Sequence, residues 1–277
     1  MAFDIYAAVT ERIIQQLEQG LIPWEKPWTG TQGGAVSGTT GKPYSLLNQM
    51  LLEKAGTYYT YNQIQKLGCR IHKGEKSSMV VFWKQIPVKQ QNKLTGEFEE
   101  IFIPMLRYYN VFHIDQCEGL KDIVAQPTEQ PRSAEAEAII HNYAQRSGVT
   151  ITHQKGDEAF YSPSRDSVTL PLIEQFTNIA EYYSTAFHEL AHSTGHQSRL
   201  NRLKATAYFG SESYSKEELV AEIAAAALIN MTGLETKNSF RNSAAYIQSW
   251  LSALKKDNRL IVSASGAATK AVEYITA

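Results

Sequence analysis

Ile5, Val9, Ile13 and Leu17 recur every fourth residue, and Gly20 follows them. That spacing gathers them on one stripe, so residues 5 to 17 are predicted as an amphipathic helix with a glycine stop. The pattern changes after the rigid, aromatic IPWEKPWTG. SSMVVFWKQIPV and IFIPMLRYYNVFHI are dense in β-branched and aromatic residues and predict two strands, with the polar KQQNKLTGE as the turn between them. A second helical pattern runs through SAEAEAIIHNYAQRSG and stops at Gly148. GVTITH, DEAFYS and DSVTLP then alternate like short strands, broken by Pro163 and Pro171. Asn178 is placed to cap a further helix, whose Ile179, Tyr182, Tyr183, Ala186 and Leu190 form one apolar stripe and which Gly195 ends. The segment SYSKEELVAEIAAAALINMTG is apolar on almost every side from Leu219 to Ile229, which predicts a buried helix starting after a cap at Ser215.

Between these groups lies QPTEQPRS, residues 126 to 133, with two prolines and no apolar side chain, the composition of an exposed connector. The chain therefore divides into units of residues 1 to 125 and 134 to 277, the first of them α+β. With 277 residues, 43% apolar and 10% aromatic, there is enough material for a core in each. No run of about 18 apolar residues occurs and no basic stretch precedes an apolar one at the start, so neither a membrane span nor a secretory signal is predicted. Cys69 and Cys117 have no CxxC spacing and suit a reducing compartment. The cytoplasm is the expected location.

Charge is uneven. Residues 1 to 125 carry 13 basic and 12 acidic side chains and residues 126 to 277 carry 14 and 16, net +1 against −2. Within the first unit, residues 66 to 93 hold seven Lys or Arg against the single Glu75, with Phe82 and Trp83 among them. A sheet that shows rings beside cations binds single-stranded nucleic acid by stacking bases and tracking phosphates. The same composition also describes an ordinary sheet with core rings and solvated lysines.

The sharpest local signal is FHELAHSTGH, residues 187 to 196, which takes three of the seven histidines. His188 and His192, four apart on a helix, share a face with Cβ atoms about 6 Å apart, so their nitrogens can reach one metal ion. Glu189 lies on the flank, where it can deprotonate a water beside the metal without being a ligand. Zinc in a catalytic site wants a third protein ligand. His196 follows the helix-breaking Gly195, and Ser198 occupies the position where a metzincin carries its third histidine. Glu218 and Glu222 are better placed, because a buried carboxylate is costly unless it is paired or binds metal. Glu218 has a second reading as the partner of Ser215 in a capping box. Glu222 has none.

Four ordered blocks, YAAVTERIIQQLEQGLIPWEKPW, TGKPYSLLN, LGCRIHKGEKSSMVVFW and YYNVFHIDQCEGL, resemble the N-terminal domain of ArdC-type antirestriction proteins, which is also found in TraC-like primases of conjugative plasmids. The resemblance implies sequence-nonspecific binding of single-stranded DNA, and it maps family motif positions onto Trp24, Lys26, Trp28, Tyr44, Asn48, Arg70, Lys73, Lys76 and Trp83. The family's YRGIN is Tyr44-Ser45-Leu46-Leu47-Asn48 here, one cation and one flexible position fewer. The second half is similar to the zincin-like, gluzincin-type metallopeptidase domain joined to that module. By that resemblance Glu218 is the third zinc ligand and Glu222 its support, with the Glu in place of the usual Asp leaving the two roles exchangeable. Tyr208, Tyr214 and His196 are candidates to stabilise an oxyanion, and a strand within 159 to 169 to align an extended substrate. Two functions follow: a DNA-tethered zinc peptidase acting on a host defence protein, or a non-enzymatic single-strand-binding protector of incoming DNA with a structural or vestigial zinc site.

Overall fold

The computed structural model describes all residues except 1–2, 25–33, 53, 92–97, 121–131, 157, 177–178, 204–211 and 235–242. Helix α1 (Ile5–Glu18) forms where the four-residue spacing predicts it. Asp4 caps it by accepting from the Ala7 amide at 3.1 Å, and Gly20, at φ 75°, takes the left-handed conformation that turns the chain away. Then come β1 (Ala35–Ser37), α2 (Leu46–Leu51), β2 (Gly56–Thr60), α3 (Tyr61–Lys66) and β3 (Arg70–Ile71). Strands β4 (Ser78–Gln91) and β5 (Phe98–His113) are the two aromatic segments, followed by β6 (Cys117–Glu118). The second half consists of α4 (Arg132–Ser147), β7 (Thr150–Gln154), β8 (Phe160–Ser162), β9 (Ser167–Pro171), α5 (Ile179–Ser193), α6 (Glu212–Thr232), α7 (Ser243–Lys256) and α8 (Leu260–Thr276).

The first sheet has the order β1-β2-β5-β4, with β1 parallel to β2 and the other pairs antiparallel. Only the base of the β4–β5 hairpin belongs to that sheet, because β2 pairs with β5 only from Val111 to His113. The rest is a two-stranded ribbon. In the second half β9 lies between β7, to which it is parallel, and the antiparallel β8. Helix α6 is apolar all round because it is packed all round: α4, α5, α7 and α8 all contact it.

One core cluster joins the two halves. Val9, Ile13 and Leu17 of α1, Leu47 of α2, Val81 of β4 and Leu106 of β5 belong to the same buried group as Phe187, Leu219, Leu228 and Ile261. Polar contacts cross the same junction. The Thr10 hydroxyl donates to the Asn258 carbonyl at 2.7 Å, and Lys255 pairs with Glu18 at 2.8 Å. The connector, residues 126 to 131 of it, and the Asn178 cap lie outside the described residues. No described helix is long and apolar enough to cross a membrane.

Candidate functional site

Helices α5 and α6 face each other across the histidine pair. The Nε2 atoms of His188 and His192 are 3.0 Å apart, and the Glu218 carboxylate reaches them from α6 at 3.6 and 3.5 Å. Ligand atoms at about 2.0–2.2 Å from a tetrahedral ion stand about 3.3–3.6 Å from one another, so the three donors are spaced for one shared cation. Among the described residues this is the one group of three His, Cys, Asp or Glu side chains that meets such a test.

The outer nitrogens are also engaged. Nδ1 of His188 faces Glu222 at 3.5 Å, and Nδ1 of His192 faces Glu217 at 3.4 Å. Glu217 is gripped by Arg202, whose Nε and Nη2 donate to its two oxygens at 3.1 and 2.8 Å. Arg202 also donates to the Ala191 carbonyl and the Thr194 hydroxyl, both at 2.8 Å. Arg199, bonded to Asp166, donates from Nε to the Ser193 carbonyl at 2.7 Å. Two arginines thus donate to carbonyls of the last turn of α5, and their charge complements the negative end of the helix. Sequence reading missed Glu217, Arg199 and Arg202. The available signal was the pair of arginines three apart just after the helix-ending glycine and the doubled acid before Glu218.

The capping reading of Glu218 is corrected here. Helix α6 begins at Glu212, so Ser215 lies inside its first turns rather than ahead of them. Serine serves both as a cap and as an interior residue, and the sequence does not distinguish the two. Ile179, assigned to the apolar stripe of α5, is exposed, whereas Tyr182, Tyr183, Ala186 and Leu190 are buried.

Charge around the histidines is lopsided. Burial works against a charged His188, but Glu222, Glu218 and Glu189 outweigh it and hold the imidazole pKa up, at about 10. Burial, reinforced by Glu218 against the opposing pull of His188, pushes Glu222 up to about 7. Several buried carboxylates thus crowd one imidazole, which raises both groups. Oε2 of Glu222 is buried with no hydrogen-bond partner. Glu217 is held below the usual carboxylate range, because His192 and Arg202 more than offset its burial. A pocket so short of positive charge fits a divalent cation held by His188, His192 and Glu218. Glu189 is 7% exposed, on α5 beside His188. The side chains of Tyr208 and Tyr214 lie outside those described, and the His196 ring is bonded to the Ser198 hydroxyl at 2.7 Å.

The residues mapped to nucleic acid divide. Trp24 is 4% exposed and packs edge-on against Trp250, with ring centroids 5.0 Å apart. Asn48, 5% exposed, gives its amide to the Val81 carbonyl and takes the Val81 N–H, both at 2.8 Å, which closes the free edge of β4. These two are corrections. Both side chains are already enclosed: Asn48 fastens α2 to β4, and Trp24 packs against α7. Tyr44 is half-buried, whereas Arg70, Lys73, Lys76 and Trp83 are exposed. Lys26 and Trp28 lie outside the described residues.

Residues 3–112 match the family model of the N-terminal domain of anti-restriction factor ArdC, and residues 134–267 match a zincin-like metallopeptidase model. Crystal structures of the antirestriction protein ArdC from the R388 plasmid, one metal-free and one Mn(II)-bound, are 35% and 34% identical to the chain, with TM-scores of 0.76 and 0.77. Each match covers 99% of this chain and 97% of that one. The chain belongs to the ArdC family. Its two-domain α+β architecture is that of ArdC, an N-terminal domain joined to a zincin-like domain. Two proteins named DNA primase TraC from Escherichia coli carry the same ArdC-like stretch, 36% and 38% identical over 98% and 97% of this chain. The chain spans only 20% and 27% of their lengths. An uncharacterised protein, y4eC of Sinorhizobium fredii, is 32% identical over 99% of this chain and 92% of its own.

Proposed function

We propose that this chain is an antirestriction factor of mobile elements that binds single-stranded DNA without sequence preference and carries a zinc-dependent peptidase centre. The observation that carries the peptidase half is the convergence of His188, His192 and Glu218 with the buried Glu189 beside them. His188, His192 and Glu218 would hold the zinc ion. When bound there, zinc supplies Lewis acidity toward a carbonyl oxygen and makes water a stronger acid. Glu189 takes the proton from the attacking water and returns it to the leaving amine. Glu222 and Glu217 accept from the Nδ1–H groups of His188 and His192, fixing both rings with Nε2 toward the ion. Strand β8, at the open edge of its sheet, offers backbone groups to an extended substrate protein. A purely protective single-strand binder would have no use for an acid at Glu189.

The nucleic-acid half rests on exposed rings beside exposed cations on the β4–β5 ribbon, Phe82 and Tyr109 with Lys84 and Arg107. The experiment that tests the reading pairs metal analysis of the full chain with a proteomic comparison of cells expressing wild type or Glu189→Gln. About one zinc per chain is expected in both proteins, with new protein fragments only in wild-type cells. Manganese in place of zinc would correct the metal. Identical fragments from both proteins would remove Glu189 from its role.

A further inference from the structure

Past the part of the sheet that the body covers, the two faces of the β4–β5 ribbon differ in kind. Cross-strand register sets each face: Val80 lies opposite Tyr109, Phe82 opposite Arg107 and Lys84 opposite Met105, and these six share one side. The other side has Val81 opposite Tyr108, Trp83 opposite Leu106 and Gln85 opposite Pro104. At the base both are closed. Val80 packs with Val111 and Tyr58, while Val81 and Leu106 enter the main core.

Further out, the first side shows Phe82 at 41% exposure and Tyr109 at 36%, with ring centroids 5.5 Å apart and planes tilted by 58°. Lys84 and Arg107 are exposed on the same side, and neither strand has an acidic residue from 78 to 88 or from 101 to 111. Tyr44, half-buried beneath this side, meets Tyr58 edge-on, with ring centroids 6.3 Å apart. From Val81 to Pro87 the second side has rings but no cation: Trp83, Tyr108 and Phe102 are interleaved there with Gln85, Pro87 and Pro104, and the one lysine further out, Lys89, stands opposite the acidic Glu100. Tyr108, 43% exposed, leans against Phe3, with ring centroids 4.9 Å apart.

A single strand needs rings for its bases and cations for its phosphates within reach of one another. Only the first side sets cations with no acid opposite them, Lys84 and Arg107, directly beside its rings. Resting on the reading of this chain as a single-strand binder, we infer that DNA stacks on the side formed by Phe82, Tyr109, Lys84 and Arg107, and that Trp83, behind it, takes no part. Self-association through this side would set Lys84 and Arg107 against their own copies, a repulsion that DNA turns into attraction.

The test is fluorescence anisotropy of a labelled oligothymidine with the full chain. Phe82→Ala and Tyr109→Ala are each expected to weaken binding by about 5- to 100-fold, while Phe82→Tyr and Trp83→Ala stay within about threefold of wild type. Arg107→Gln and Lys84→Gln should each lower the slope of log affinity against log salt by about 0.7. Both are surface changes, so they keep the inference testable if an alanine variant fails to fold. A loss at Trp83→Ala as large as at Phe82→Ala overturns it. So does an oligomer that Phe82→Ala dissociates with DNA affinity unchanged. A wild type that ignores the oligonucleotide removes the single-strand reading itself, and the inference with it.

Discussion

Glu218 and Glu222 are one helical turn apart on α6, yet they address different atoms of His188. Glu218 approaches the inner nitrogens of both histidines, while Glu222 faces Nδ1 on the outer side of one. A carboxylate shared by two Nε2 atoms is placed as a ligand, and one that faces Nδ1 is placed to orient the ring. The expected outcome is graded. In competition against a chromophoric chelator, Glu218→Ala abolishes zinc binding, whereas Glu222→Ala and Glu217→Ala each weaken it by about 10- to 100-fold. The reverse grading, with binding abolished at Glu222 and only weakened at Glu218, would mean that the two exchange roles. The sequence made Glu218 and Glu222 legible because a carboxylate on an all-apolar helix demands a reason. It could not rank them, since both lie on one face at the same spacing. Trp24 and Asn48 failed for the opposite cause: a tryptophan or an asparagine has the same letter whether it closes a core or meets a ligand, and only packing decides.

At the scale of elements, the metal-facing helix is held at its end rather than along its length. Arg199 is buried, bonds Asp166 through both of its terminal nitrogens and reaches the Ser193 carbonyl, so the turn between β8 and β9 is fastened to the last turn of α5. Asp166 sits at φ 48°, a left-handed turn position that aspartate tolerates, and it also accepts from the Tyr161 hydroxyl at 2.7 Å. Its carboxyl is held below the usual range chiefly by the Arg199 hydrogen bonds, against a smaller opposing effect of burial. A depressed carboxylate contributes stability above its unfolded pKa, about 3.9, and loses it as pH falls through the folded value. Asp166→Asn should therefore cost about 3 kcal/mol in urea unfolding between pH 5 and 8, with the gap to wild type closing on the acid side of about pH 4. A gap that persists unchanged at pH 2 would show that the ion pair is not what fastens the turn. None of this was readable beforehand, because Arg199 and its partner are 33 positions apart. The α5 helix itself was readable, since the stripe from Tyr182 to Leu190 and the glycine stop are local.

For the whole molecule, the connector marks a change in composition but not a break in the core. Helical periodicity showed that α1 has a buried stripe, but nothing in a single sequence says what covers it. In the fold α1 lies against α7 and α8, with Arg259 over the Tyr6 ring at 5.1 Å and Trp24 against Trp250. In place of a core in each unit, the two share one. A fragment of residues 1 to 125 would bare Val9, Ile13, Leu17 and Trp24 together, and apolar surface stabilises by about 25 cal/mol per Å² only while it is covered. Such a fragment is expected to aggregate, or to unfold at a lower temperature than the full chain, and to bind single strands more weakly at equal salt. Substitution within the full chain separates the halves more cleanly than a cut. His192→Ala should lose metal while keeping its affinity for oligothymidine, because the metal ligands lie on α5 and α6 and the exposed rings lie out on β4 and β5. Anisotropy and metal analysis on that one protein decide the matter. If losing the metal also loses the DNA, the shared core couples the two sites and the halves work as one.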